Sequence, residues 1–216
     1  MSRTIDCYYH DPLTLIWTRC LKSLNIQLER SEQVFASWDG QGTMTLSTPE
    51  HFDPDDHLGQ LILHELCHAL TEGPKSWTLT DFGLENIDDR DLDRELVAHR
   101  LQATLSDFVH LRGFFAITTE WRPYYDALGP NPLIEGPDHL LIPAKMGLYR
   151  ALSHPFRTHI LQALEQTAAL QRLLAPLSES HSLWQVDEPS LGLNQAQITW
   201  WDTYFVENHY PALIES

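Results

Sequence analysis

Apolar residues recur along the chain at two spacings, and the switches between them mark out its elements. From residue 12 to about residue 29 they come at the helical interval (Leu13, Leu15, Ile16, Cys20, Leu21, Leu24, Ile26), which predicts an amphipathic helix. Residues 33–38 and 43–47 are short runs rich in Val, Phe, Thr and Met around Asp39-Gly40-Gln41-Gly42, and they predict a β-hairpin. Pro49 and the run Asp53-Pro54-Asp55-Asp56 break the chain, and the acidic run is placed to cap the next helix. From 57 to 72 a helical pattern returns (Leu58, Leu61, Ile62, Leu63, Leu66, Leu70), closed by Gly73-Pro74. A loop containing Asp81-Phe82-Gly83 leads to a second helix, expected to start at an Asp88/Asp89 cap and to run through Leu92, Leu96, Val97, Leu101, Leu105, Phe108 and Val109.

After Gly113 the chain is aromatic and broken by proline (Trp121, Tyr124, Tyr125, Pro130, Pro132, Pro137). Two further helices are expected at about 144–152 and 156–174, then a Ser/Pro/Glu-rich linker at 175–189. A last amphipathic piece carries Ile198, Trp200, Trp201, Tyr204, Phe205 and Val206. These elements predict a helix-dominated α+β fold with a small N-terminal β-hairpin. One domain is expected over residues 1–175, with residues 176–216 a linker and a C-terminal segment docked on it.

Composition narrows the function classes. The 216 residues are 43% hydrophobic and 20% charged, an ordinary globular balance with enough chain for a core. Fourteen Lys+Arg against thirty Asp+Glu give a net charge of −16, which repels phosphate backbones and anionic lipid; neither a nucleic-acid nor a membrane partner is expected. Residues 51–100 hold twelve Asp/Glu and four Lys/Arg, half of that net charge, which reads as a solvated face or, more sharply, as a surface that attracts a basic partner or a cation. No apolar run approaches the roughly 18 residues of a membrane span. Asp6, His10 and Asp11 stand where a secretory leader would need an apolar stretch, so no such leader is expected. Three cysteines (Cys7, Cys20, Cys67), an odd count at no metal-type spacing, fit a reducing cytoplasm, with Cys67 a packing residue.

The informative run is His64-Glu65-Leu66-Cys67-His68. On a helix, i and i+4 share a face about 6 Å apart, so both imidazoles can grip one metal ion. Glu65 lies about 100° around the helix and can reach solvent bound to that metal without ligating it. Two histidines and a carboxylate on so apolar a helix are costly to bury unless paired or metal-bound; the bland alternative is two satisfied core histidines beside a Glu. The next helix offers Glu95, 27 residues after His68, as a third ligand. Two His and one carboxylate with open positions suit a hydrolytic zinc and equally a non-haem Fe(II). Asp81, between the two helices, is placed to accept the outer N–H of His64 or His68, or is simply a turn residue before Gly83. His99, four residues after Glu95, is a fourth ligand, an acid/base group or a hydrogen-bond partner, unless it is a surface histidine. His57, two turns before the motif, is expected on the solvent side.

Around this motif the chain resembles the bacterial elongation factor P hydroxylases. The resemblance rests on His64-Glu65-x-x-His68, on Gly73 and on Asp81-Phe82-Gly83. It rests also on a following helix reading Glu95-x-Val97-x-x-Arg100-x-Gln102-Ala103, with a fainter echo in Pro155-x-Arg157, Ile160 and Ala163-Leu164. It implies an iron-dependent hydroxylase of a modified lysine on a translation factor, with His64, His68 and Glu95 as ligands and Glu65 and Asp81 near the reacting centre. The stretch from Gly83 to Glu95 is shorter than the family's and lacks its Gly-Asp-rich aromatic character, and the C-terminal segment is additional. The chain also resembles gluzincin-like minimal metallopeptidases, through the same helix and Glu95-x-x-Ala98. That would imply zinc, with Glu65 as the general base, although His99 stands where those peptidases carry Asp or Asn. A third reading is a family member without turnover that binds a partner through Trp200-Trp201.

Overall fold

The structure is a computed structural model that describes residues 6–85 and 91–185. It is the helix-dominated α+β domain expected, with a three-stranded sheet near its N-terminus. Among the described residues, no helix is long and apolar enough to cross a membrane.

The first helix, α1, spans Pro12–Ser23, with Asp11 accepting the Leu13 amide as its cap. It stops six residues short of the predicted end. Asn25 takes a left-handed conformation (φ 58°) and the Ile26 amide returns to Leu21 O, so the chain reverses there. Ile26 and Leu28 fit the helical spacing but also alternate, and the segment forms strand β1, Gln27–Ser31. The predicted hairpin is present as β2, Ala36–Trp38, antiparallel to β3, Thr43–Ser47, while β1 lies parallel to β3 on its other side. The strand order is β1-β3-β2, which leaves β2 at an edge.

Helix α2, Leu58–Glu72, is the centre of the molecule: all but three of its fifteen residues are buried, the exceptions being His64, Glu65 and Glu72. Gly73 closes it at φ 84°. The acidic run is not its cap. His57 is: its Nδ1 accepts the Gln60 amide, Gln60 Oε1 accepts the His57 amide, and Nε2–H donates to Phe114 O. This corrects the expectation of a solvent-side histidine.

Helix α3, Leu92–Asp107, packs along α2, and its start lies beyond the Asp88/Asp89 expected to cap it, which fall outside the described residues. Every residue from Val97 to Asp107 is buried, polar ones included, and most of the polar side chains find hydrogen-bond partners, the Nδ1 of His99 being an exception. Arg100 donates to Tyr124 Oη and Glu135 O, Thr104 to Arg100 O, and Asp107 pairs with Arg112. A short α4, Arg122–Ala127, precedes α5, Asp138–Ala151, which starts six residues earlier than predicted and runs through Pro143 at the loss of one backbone bond. Helix α5 covers α2 and α3, and α6, Phe156–Leu174, packs on α1.

The predicted linker is folded where it is described. Two 3₁₀ turns, Ala175–Leu177 and Leu183–Gln185, lay Trp184 against Phe114 at 4.9 Å between ring centres. The Trp200-Trp201 segment lies outside the described residues.

The cap gives a pH prediction. Burial lowers the His57 pKa to about 4 from 6.5, outweighing the Phe114 hydrogen bond, which favours the proton. Between pH 6.5 and about 4 the unfolded chain therefore binds a proton that the folded chain refuses, so stability falls on acidification through that window. In urea titrations at pH 7 and pH 4.5, His57→Asn, which keeps an acceptor for the cap, should lose less stability between the two pH values than the parent chain. An equal loss contradicts this account of the cap.

Candidate metal centre

The apolar positions of α2 fix its rotation, and that rotation turns His64 and Glu65 towards a cavity of about 300 Å³, with the buried His68 alongside. Helix α3 supplies the opposite wall. Glu95, His99 and Gln102 stand on one stripe of it (i, i+4, i+7), and all three reach the cavity.

Three donor atoms converge. His64 Nε2 lies 3.1 Å from His68 Nε2; Glu95 Oε2 is 3.5 Å from the first and Oε1 3.4 Å from the second. Two ligands each about 2.1 Å from one ion are separated by roughly 3.0–3.4 Å at octahedral or tetrahedral angles, so the triangle has the size one divalent ion requires. Among the described residues, this is the only set of three such side chains whose donor atoms gather this closely.

The tautomer of His64 is set by Gln102, a residue of the Glu95-x-Val97-x-x-Arg100-x-Gln102-Ala103 run to which the sequence alone assigns no role. The His64 Nδ1–H donates to Gln102 Oε1 at 2.9 Å, and Gln102 Nε2 donates to Phe115 O at 2.7 Å, which fixes the amide's orientation and leaves Nε2 as the His64 atom that faces Glu95. A signal for it exists in the chain: Gln102 is polar in the run Val97–Leu105 and lies seven residues, two turns, after Glu95.

The electrostatics are those of a cation site. Burial works against charge on His64, yet the Glu95 carboxylate outweighs it and carries the imidazole's pKa up to about 9. Burial would raise the Glu95 pKa, but the two imidazoles hold it well below the carboxylate range. Burial pushes Glu65 up, against the pull of His64 and His68, so this carboxyl favours keeping a proton. Burial likewise raises the Cys67 thiol well above its ordinary value, as expected of a packing cysteine.

Two expectations change. His99 is no surface residue: it is 1% exposed, stacks on His64 at 5.2 Å, and brings Nε2 to 3.7 Å from Glu95 Oε2. Burial and the neighbouring His64 depress its pKa, so it is a neutral imidazole beside the third ligand. Asp81 lines the cavity but does not take an outer histidine N–H. Its Oδ1 accepts the Trp38 amide at 2.8 Å, tying the Asp81-Phe82-Gly83 turn to the edge strand β2. Asp81 and Phe82 both have left-handed backbones (φ 47° and 56°), a strain that this bond and the buried Phe82 ring hold in place. The cavity mouth is formed by Phe35 and the run Thr118–Trp121, none of which the sequence motifs single out.

Comparison with protein-family models, with curated proteins and with solved structures finds no match to this chain. The donor set itself therefore carries the functional reading.

Replacing Gln102 by Leu leaves the His64 Nδ1–H without its acceptor, and loss of such a partner typically weakens metal affinity about 10- to 100-fold. Competition titration with a chromophoric chelator should show a loss in that range with the helical circular dichroism unchanged, and Gln102→Glu, which keeps an acceptor, should lose less. Unchanged affinity in Gln102→Leu would remove Gln102 from the site.

Proposed function

We propose that the chain is a non-haem Fe(II) hydroxylase acting on a protein side chain, with His64, His68 and Glu95 as the ligands. One observation carries the reading: two imidazoles and one carboxylate close a donor triangle on one side of a cavity and leave the other side open for substrate and dioxygen. The same group in a structural role would be closed by a fourth protein ligand.

An Fe(II) held there would supply the binding and reductive activation of dioxygen. The balance is one oxygen atom into a C–H bond and the other released as water, with two protons and two electrons from an external reductant. The chain's own residues position and insulate. Gln102 orients His64, Phe82 and Leu84 wall off solvent, and Glu65, favouring its proton, is placed to deliver one within the cavity. The cavity lining carries Glu65, Asp81, Glu95 and Glu120 and, among the described residues, no Lys or Arg. That supports a cationic target such as a modified lysine on a basic loop of a translation factor, the substrate of the family the motif resembles. Three free cysteines support a cytoplasmic setting.

A zinc metallopeptidase is the second reading, favoured by Glu65 standing beside the histidine pair as a general base would. The edge strand weighs against it. Ser47 N–H donates to Phe35 O and Asp39 N–H to Thr43 O, so residues 35 and 39 face β3 while Ala36 and Trp38 turn outward. Asp81 already takes the outward Trp38 amide that an added peptide strand would use.

Protein prepared without oxygen and loaded with Fe(II) should, on admission of dioxygen and a reductant, add one oxygen atom to a lysine-modified translation factor. Mass spectrometry reads the product, and Glu95→Ala should form none. Cleavage of peptide by the zinc-loaded chain, abolished by Glu65→Gln, would overturn the hydroxylase in favour of the peptidase.

A further inference from the structure

A second cavity shares one lining residue, Phe82, with the metal cavity. It measures about 140 Å³ and is walled by Met44, Leu66, Ala69 and the rings of Trp38, Trp77 and Phe82. Phe82 also lines the metal cavity, so its buried ring is a wall common to both. Leu66 and Ala69 come from α2, the helix that carries His64 and His68. At its other end the cavity reaches Leu24, Asn25 and Ile26, where Asn25 is exposed.

The walls offer water little to bond. Trp38 Nε1 donates to Trp77 O at 2.8 Å and Trp77 Nε1 to Ala69 O at 2.6 Å, so both indole N–H groups are already engaged. The remaining core wall is aliphatic or aromatic. An apolar cavity of about this size stays dry and takes up small apolar molecules such as xenon. The partition is held rather than free: Phe82 stacks on Trp38 at 5.3 Å with planes 10° apart, and Asp81 ties its backbone to the Trp38 amide.

We propose that this chamber is a binding site for a small apolar gas molecule, dioxygen, and that it admits it to the metal cavity past Phe82. The assignment to dioxygen rests on the hydroxylase reading; the chamber as an apolar site does not. It gives the Asp81-Phe82-Gly83 turn a use that the ligand set leaves unexplained. The cationic substrate would enter by the acidic mouth at Glu120, and the apolar co-substrate by a separate apolar way at Ile26.

The test uses xenon and the full chain. In xenon-pressurised crystals of the protein, xenon should sit between Trp38, Leu66 and Trp77. It should be excluded by Ala69→Ile, which fills the chamber, and by Ile26→Trp, which plugs the half-buried mouth. With Fe(II) bound to the same content, both variants should react with dioxygen several-fold more slowly at limiting oxygen, and alike at saturating oxygen. Absence of xenon from the chamber overturns the site whatever the enzyme does. Xenon displaced by the variants with an unchanged oxygen dependence overturns the conduit. Xenon bound in a chain whose Fe(II) form does not consume dioxygen overturns the hydroxylase reading and the dioxygen assignment together, leaving a site for other apolar molecules.

Discussion

Everything in this molecule depends on how α2 is buried. A helix enclosed on nearly its whole circumference cannot rotate without exposing leucine, so its one uncovered strip, at His64 and Glu65, is fixed in direction by the core. Helix α3 is locked against it by its own partnered polar residues, and the two together set where Glu95 stands relative to the histidines. The result is a set of donor atoms that calls for positive charge. Two imidazole nitrogens face each other at 3.1 Å beside a carboxylate, with positive charge needed between them. A proton on His64 answers that need in part; a divalent ion answers it with all three donors at once.

The parts of this arrangement that follow helical periodicity are legible in the chain. The Leu58-to-Leu70 spacing, stopped by Gly73-Pro74, marks α2 to within one residue, and the pairing of His64 with His68 comes from four-residue spacing alone. Glu95 is reachable because an antiparallel helix is expected after the Asp81-Phe82-Gly83 turn. Features that periodicity does not encode are not legible in this way. The left-handed turn at Asn25 converts the end of a predicted helix into β1, because Ile26 and Leu28 satisfy both spacings. His57 reads as exposed, since a histidine cap is rarer than the Asp run before it, and its acceptor Phe114 is distant in sequence. His99 and Gln102 share the Glu95 stripe, but only tertiary packing shows that stripe to be inward.

Asp81 illustrates the difference between proximity and role. Sequence spacing places it near the histidines, and it does border their cavity, yet its hydrogen bond goes to the sheet. The turn that it anchors holds Phe82 as a wall and blunts the outward edge of β2. A segment that looks from its spacing like an accessory to the metal thus joins the sheet to the helices and shapes the space on both sides of it.

The central claim is that His64, His68 and Glu95 hold one divalent ion between them. X-ray absorption on the iron-loaded protein, prepared without oxygen, examines that directly. The account predicts one ion per chain, with two imidazoles and light-atom oxygen donors at about 2.0–2.2 Å and no sulfur. An ion with a single imidazole, a sulfur donor from Cys67, or the same spectrum after Glu95→Gln and His68→Ala would contradict it.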